Sequence, residues 1–108
     1  MICDCSGIAI EYAFGTERPV IFLDVPLKIQ NQKYKDLGIE PLEVDIREKI
    51  GILLNPDQLD KIPDVISKLL SKKNNFKKQI NDLRNEYVYS IGKSSDIAAT
   101  EILNVINQ

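Results

Sequence analysis

The run Val20-Ile21-Phe22-Leu23 constrains this chain most, because it carries no polar residue on either of its alternating faces. A strand with one face in water alternates apolar and polar residues. An unbroken apolar run belongs in a sheet covered on both sides, and such sheets are parallel ones crossed by helices. The residues before it supply the crossover. Met1-Ile2-Cys3-Asp4-Cys5 is short, mostly apolar and in strand register from its first residue. Ser6 offers a hydroxyl that caps a helix and Gly7 allows a tight turn; Ile8 to Phe14 reads as a helix, stopped at Gly15, before Arg18-Pro19 leads into the second strand. Strand, helix and strand in so short a stretch form a βαβ unit with a right-handed connection.

Beyond Leu23 the pattern loosens. Pro26, Gln30-Asn31-Gln32, Gly38 and Pro41 among scattered charges predict a long loop with one helical turn at Tyr34 to Leu37. Loops of that length inside a domain are commonly functional. Leu42 to Ile50 fits either a short helix or an extended segment, and Gly51-Ile52-Leu53-Leu54 is a third strand, ended by Asn55-Pro56-Asp57. The period then changes: Leu59, Ile62, Val65, Ile66, Leu69 and Leu70 fall at helical spacing, with Pro63 acceptable only in a first turn. A second amphipathic helix is expected after Asn74-Asn75 and a third after Ser94-Ser95, with Lys72-Lys73-Asn74-Asn75 as a solvated turn between helices. The order suits a small parallel sheet with helices on both faces. Its first strand is an edge, and an open edge invites pairing with another chain.

At 108 residues one domain is expected, and the charged fraction of 28% is ordinary for a globular chain. No stretch reaches the ~18 apolar residues of a membrane helix, and Asp4, Glu11 and Glu17 interrupt any signal-peptide pattern, so a cytoplasmic location is expected. A net charge of −2 gives no general attraction to nucleic acid. There is no histidine, so the commonest neutral-pH base and zinc ligand is missing. Cys3 and Cys5, two apart on a strand, read as buried thiols on one face, and no further Cys or His completes a metal shell.

In open parallel sheets ligands bind beyond the carboxyl ends of the strands, and anions favour helix N-termini. Ser6-Gly7 falls at such a place, and Glu11 lies about one turn further along. From spacing alone, the plainer reading is favoured, with Ser6 a helix cap and Glu11 a solvated helix residue. Gly92-Lys93-Ser94 is not a phosphate loop of the Gly-x4-Gly-Lys type, because Tyr87 occupies the position of its first glycine.

The stretch from Cys3 to Ile21, with Asp4-Cys5-Ser6-Gly7, Glu11 and Gly15-Thr16-Glu17-Arg18-Pro19-Val20-Ile21, resembles the donor-site signature of GT-B-fold glycosyltransferases and their relatives. The spacing of Ser6 and Glu11 is similar to that in UDP-N-acetylglucosamine 2-epimerases. Ile91-Gly92-Lys93-Ser94-Ser95-Asp96-Ile97 resembles the closing segment of the CDP-glycerol glycerophosphotransferase family of teichoic-acid polymerases, and Gly51 to Leu59 resembles the strand-to-helix step of GT-B C-terminal domains. The polymerase family is the better match. By that resemblance Ser6, Gly7, Ser94 and Ser95 contact the nucleotide phosphates and Glu11 the ribose. Ile8 stands where the epimerases carry a second glycine, and Ile91 where the polymerases carry an aspartate.

The resemblance implies an α/β fold: a partial Rossmann-like, three-layer α/β/α domain, the C-terminal half of a GT-B protein, with a short parallel sheet and C-terminal helices. It spans residues 1–108 as one unit whose N-terminal strands and partner domain lie elsewhere. The implied function is binding of a nucleotide-diphosphate donor, CDP-glycerol or a UDP- or CDP-sugar, for a cell-wall transferase. That family's catalytic histidines lie upstream of this segment, so no catalytic residue, metal or cofactor is assigned to the chain, and membrane contact is expected only through a region outside it. The rival expectation is a free-standing, non-catalytic nucleotide-binding or dimerisation module that forms a homo-oligomer through the Met1 to Cys5 strand edge.

Overall fold

The computed structural model describes residues 1–29, 31 and 33–107; Gln30 and Gln32 of the expected long loop lie outside the described residues. The sheet has three parallel strands in the order β1 (Ile2–Cys3), β2 (Val20–Leu23), β3 (Gly51–Leu54). The helix α1 (Ile8–Thr16) crosses from β1 to β2, and two short helices, α2 (Leu42–Asp45) and α3 (Arg47–Ile50), precede β3. Three longer helices follow: α4 (Ile62–Ser71), α5 (Lys73–Tyr87) and α6 (Ser94–Ile106).

The apolar run of β2 is buried from Val20 to Phe22, as a central strand requires. Its side chains divide by parity. Val20 and Phe22 enter one cluster with Ala9, Ala13 and Phe14 of α1, Ile50 of α3, Ile80 of α5 and the fully buried Ile46. Ile21 enters another with Leu54 and with Leu69 of α4, flanked by Ile62 and Val65. Helices therefore cover both faces. No helix among the described residues is long and apolar enough to cross a membrane.

β2 and β3 come unusually close at one point. Gly51 pairs with Val20, and a Cβ placed on Gly51 would lie 2.0 Å from the Val20 carbonyl oxygen. The backbone there is extended, which any residue can adopt, so the requirement for glycine comes from this approach alone.

The ends of α1 differ from the sequence expectation. The helix runs through Gly15 to Thr16, and Glu17 takes the left-handed turn at φ 56° that Gly15 was expected to supply. Glu17 is held there from three directions: its N–H donates to Ala13 O, Lys77 Nζ lies 3.0 Å from its carboxylate, and Arg84 Nη2 lies 3.2 Å from it. Arg84 Nη1 also donates to Phe14 O at 2.7 Å, satisfying a carbonyl that the helix end leaves unpaired. α5 is thereby clamped across the C-terminus of α1, where a cation is favourable for the helix dipole.

Other boundaries also moved. β1 ends at Cys3, because Asp4 and Cys5 form a bend, so the two cysteines do not share a strand face and are partly buried rather than buried. Pro63 lies in the first turn of α4, where its missing N–H costs nothing. Asn74-Asn75 lies inside α5, because the break between helices is confined to Lys72. Tyr34–Leu37 forms the expected single turn, of the 3-10 type, ended by Gly38 at φ 65°.

Two predictions follow from these contacts. Gly51→Ala forces the β2–β3 backbones apart and costs at least about 3 kcal/mol, seen as a lowered urea midpoint. The Lys77 and Arg84 contacts hold the Glu17 carboxyl below its ordinary range. With the folded value lowered, their stabilisation is complete above the unfolded carboxylate pKa and disappears as pH falls through the folded one. Glu17→Gln is therefore less stable than wild type at neutral pH, and thermal melts converge under acid conditions below the usual carboxylate range.

Candidate functional site

The first strand-to-helix junction lies at the carboxyl edge of the sheet. A cavity of about 320 Å³ opens there, lined by Cys5 and Gly7 from the junction, Lys28 and Tyr34 from the long loop, and Glu43 and Val44 from α2, with Leu27, Ile29, Asn31 and Pro41 completing the wall. The volume is at the lower end of small-molecule sites, ~300 to 1,000 Å³. A parallel sheet places such a cavity where helix N-termini and loops converge.

The polar groups come from different sources. Gly7 is the N-terminal flanking residue of α1, at φ −56°, and no side chain caps the helix. Ser6 is therefore not the cap that its position suggested; its carbonyl accepts from the Ala9 N–H, while the N–H groups of Gly7 and Ile8 have no backbone acceptor among the described residues. Gly7 is also not making a special turn, and a Cβ placed on it would meet no atom within 4 Å. The chain itself makes no demand for glycine there. Lys28 and Tyr34 share the cavity wall with Gly7.

Cys5 forms part of the wall, and its thiol is directed toward the Glu43 carbonyl at 3.7 Å. Burial pushes its pKa up, and the guanidinium of Arg47 only partly offsets this. Cys3 is likewise pushed up, first by burial and then by Asp4. Both thiols are thus poor nucleophiles at neutral pH. Among the described residues no cluster of His, Cys, Asp or Glu is arranged to hold a metal ion.

The residues singled out in the sequence do not all converge. Gly7 lines the cavity, with Ser6 adjacent to it in the chain. Glu11 is exposed one turn further along α1, its N–H bonded to Gly7 O, and is absent from the cavity wall; Glu43 is the carboxylate there. Ser94 and Ser95 begin α6, where the Ser94 hydroxyl donates to Ser90 O at 3.0 Å, and neither reaches the cavity. Of the loop lysines, Lys28 lines it; Lys33 and Lys35 do not.

Sequence reasoning overlooked Arg47. Its side chain is 10% exposed, and Nη1 pairs at 3.3 Å with Asp24, the residue immediately after β2. Nε is buried without a partner among the described residues. Asp24 is thus spent on an ion pair within the protein rather than facing a ligand. The available signal was an arginine between Ile46 and Ile50, at the helical spacing of core positions.

No protein-family model, curated protein or solved structure matches the chain.

Asp24→Asn weakens the only charged partner that a buried guanidinium has among the described residues and is expected to cost about 1–2 kcal/mol, moderated because the carboxylate is half exposed. Adding Arg47→Met to it recovers part of that loss, a non-additivity that urea denaturation of the two single variants and the double variant measures.

Proposed function

We propose that this chain binds a nucleotide diphosphate at the carboxyl edge of its sheet, as the donor-binding portion of a glycosyl- or glycerophosphotransferase of GT-B type. The observation that carries the reading is the cavity of ligand size at the β1–α1 junction, whose wall includes Gly7, with its N–H unbonded among the described residues, a lysine and a tyrosine. The N–H groups of Gly7 and Ile8 and the positive end of the α1 dipole suit phosphate oxygens, and Lys28 adds a charge-assisted contact. Tyr34 offers a surface for the base and Glu43 an acceptor for ribose hydroxyls. The finer assignment to the CDP-glycerol glycerophosphotransferases rests on the resemblance of residues 3–21 and 91–97.

In such a transferase the donor is cleaved at its diphosphate, and fixed dipoles stabilise the departing nucleotide. On this proposal Gly7 and Lys28 take that role. The chain contains no histidine, and both thiols have raised pKa values, so neither of these residue types supplies a proton acceptor for the attacking hydroxyl. The same facts favour the second reading, a free-standing, non-catalytic nucleotide-binding module.

Calorimetric titration with CDP, UDP, CDP-glycerol and inorganic pyrophosphate tests the site. Lys28→Ala is expected to weaken diphosphate binding about tenfold, and Glu43→Ala to weaken nucleotides while sparing pyrophosphate. Bound nucleotide should slow alkylation of Cys5 more than of Cys3. Absence of binding by the folded chain, or affinity indifferent to both substitutions, rejects the proposal. Equal binding of CDP and CDP-glycerol favours the non-catalytic module over the transferase.

A further inference from the structure

A second concavity, of about 460 Å³, lies on the other face of the sheet, where Ile2 of β1 and Ile21 of β2 meet Ile66, Leu69 and Leu70 of α4. Its floor is apolar and partly open: Ile2 is 47% and Leu70 67% exposed. Arg18 and Lys73 also line it, and neither forms an ion pair among the described residues. This is the half of the sheet face that α4 leaves uncovered.

α6 lacks what this groove offers. No residue of α6 is buried, and it belongs to neither core cluster. Yet Ala98, Ala99, Ile102, Leu103, Val105 and Ile106 fall on one side of the helix, an apolar arc that a solitary solvated helix has no use for. Asp96 and Glu101 are its only charged residues. The dimensions agree with an undocked element: the radius of gyration is 17.5 Å, against ~13 Å for a compact domain of this length.

We propose that α6 docks in the β1–α4 groove of a second copy of this chain, forming a two-fold dimer in which each protomer gives its helix and receives its partner's. Charge selects the occupant. The acidic residues of α6 complement Arg18 and Lys73, whereas a helix with no basic residue is not drawn to an anionic membrane. Each chain carries both halves of the contact, so two reciprocal dockings close about one axis and leave no free site to propagate. The docked helix also shields the side of β1 left open as a sheet edge. The proposal is independent of the nucleotide site at the carboxyl edge of the sheet.

Sedimentation equilibrium with paired charge reversals tests it. Wild type is expected to be a dimer. Arg18→Glu with Lys73→Glu, and separately Asp96→Lys with Glu101→Lys, should each weaken association at least tenfold, roughly one lost central charge pair per contact. An equimolar mixture of the two variants should re-form the dimer, because each variant's helix then matches the other's groove. All four positions are exposed, so circular dichroism should be unchanged. Four results overturn the proposal: a monomeric wild type, a dimer indifferent to both reversals, a monomer whose α6 amides are protected from exchange and so dock within one chain, and a monomer whose α6 binds phosphatidylserine vesicles.

Discussion

The backbones of β2 and β3 approach so closely at Val20 and Gly51 that no side chain fits between them. This contact fixes the register along four consecutive pairs and makes β2 the one strand with a neighbour on each side. Because side chains alternate, that register also decides which residues face which helix layer. A slip by one residue would exchange Phe22 with Ile21 and turn each core cluster toward the wrong helices. The division of labour between α1, α3 and α5 on one face and α4 on the other thus depends on a glycine that contributes no packing of its own.

Two guanidinium groups fasten the helices to this sheet in different ways. Arg84 reaches from α5 to the end of α1, where it satisfies the Phe14 carbonyl and holds Glu17 in a left-handed conformation uncommon for a residue with a side chain. Its charge is placed where a helix C-terminus favours it, so the contact stabilises both partners. Arg47 lies deeper and has one partner, a half-exposed aspartate at the end of β2. A buried charge so sparsely paired adds little net stability, but it fixes the geometry at the carboxyl edge: it ties α3 to the end of β2 and lowers the pKa of Cys5 in the cavity wall against the larger effect of burial.

The layered fold was legible because apolar periodicity reports burial directly. The unbroken Val20–Leu23 run, the spacing of Ile62 to Leu69 and the position of Pro63 each had one physical reading, and β2 and β3 fell at the expected residues while β1 came out shorter. The element ends were less legible, because they depend on tertiary partners. Gly15 has the conformational freedom to stop α1, yet the stop moved to Glu17, where Lys77 and Arg84 supply charges from a helix distant in sequence. Ser6 could cap α1 by type, but Gly7 became the flanking residue, and the N–H groups of Gly7 and Ile8 have no backbone acceptor among the described residues. The junction near Ser6-Gly7 was found from its place after the first strand, while Tyr34 and Glu43 were not. They join Gly7 in the cavity wall from elements distant in sequence, and no local pattern encodes that meeting.

The cavity's mixed lining limits what can bind there. Lys28 and the N–H of Gly7 favour a compact anion, while Glu43 repels one that comes near it. A simple phosphate gains from the first set and gains nothing from Tyr34. On the proposed function, a ligand that carries both an anion and hydroxyls would pair its phosphates with Gly7 and Lys28 and its hydroxyls with Glu43. On that proposal, discrimination between a nucleotide diphosphate and free phosphate rests on one small cavity having both a lysine and a glutamate in its wall.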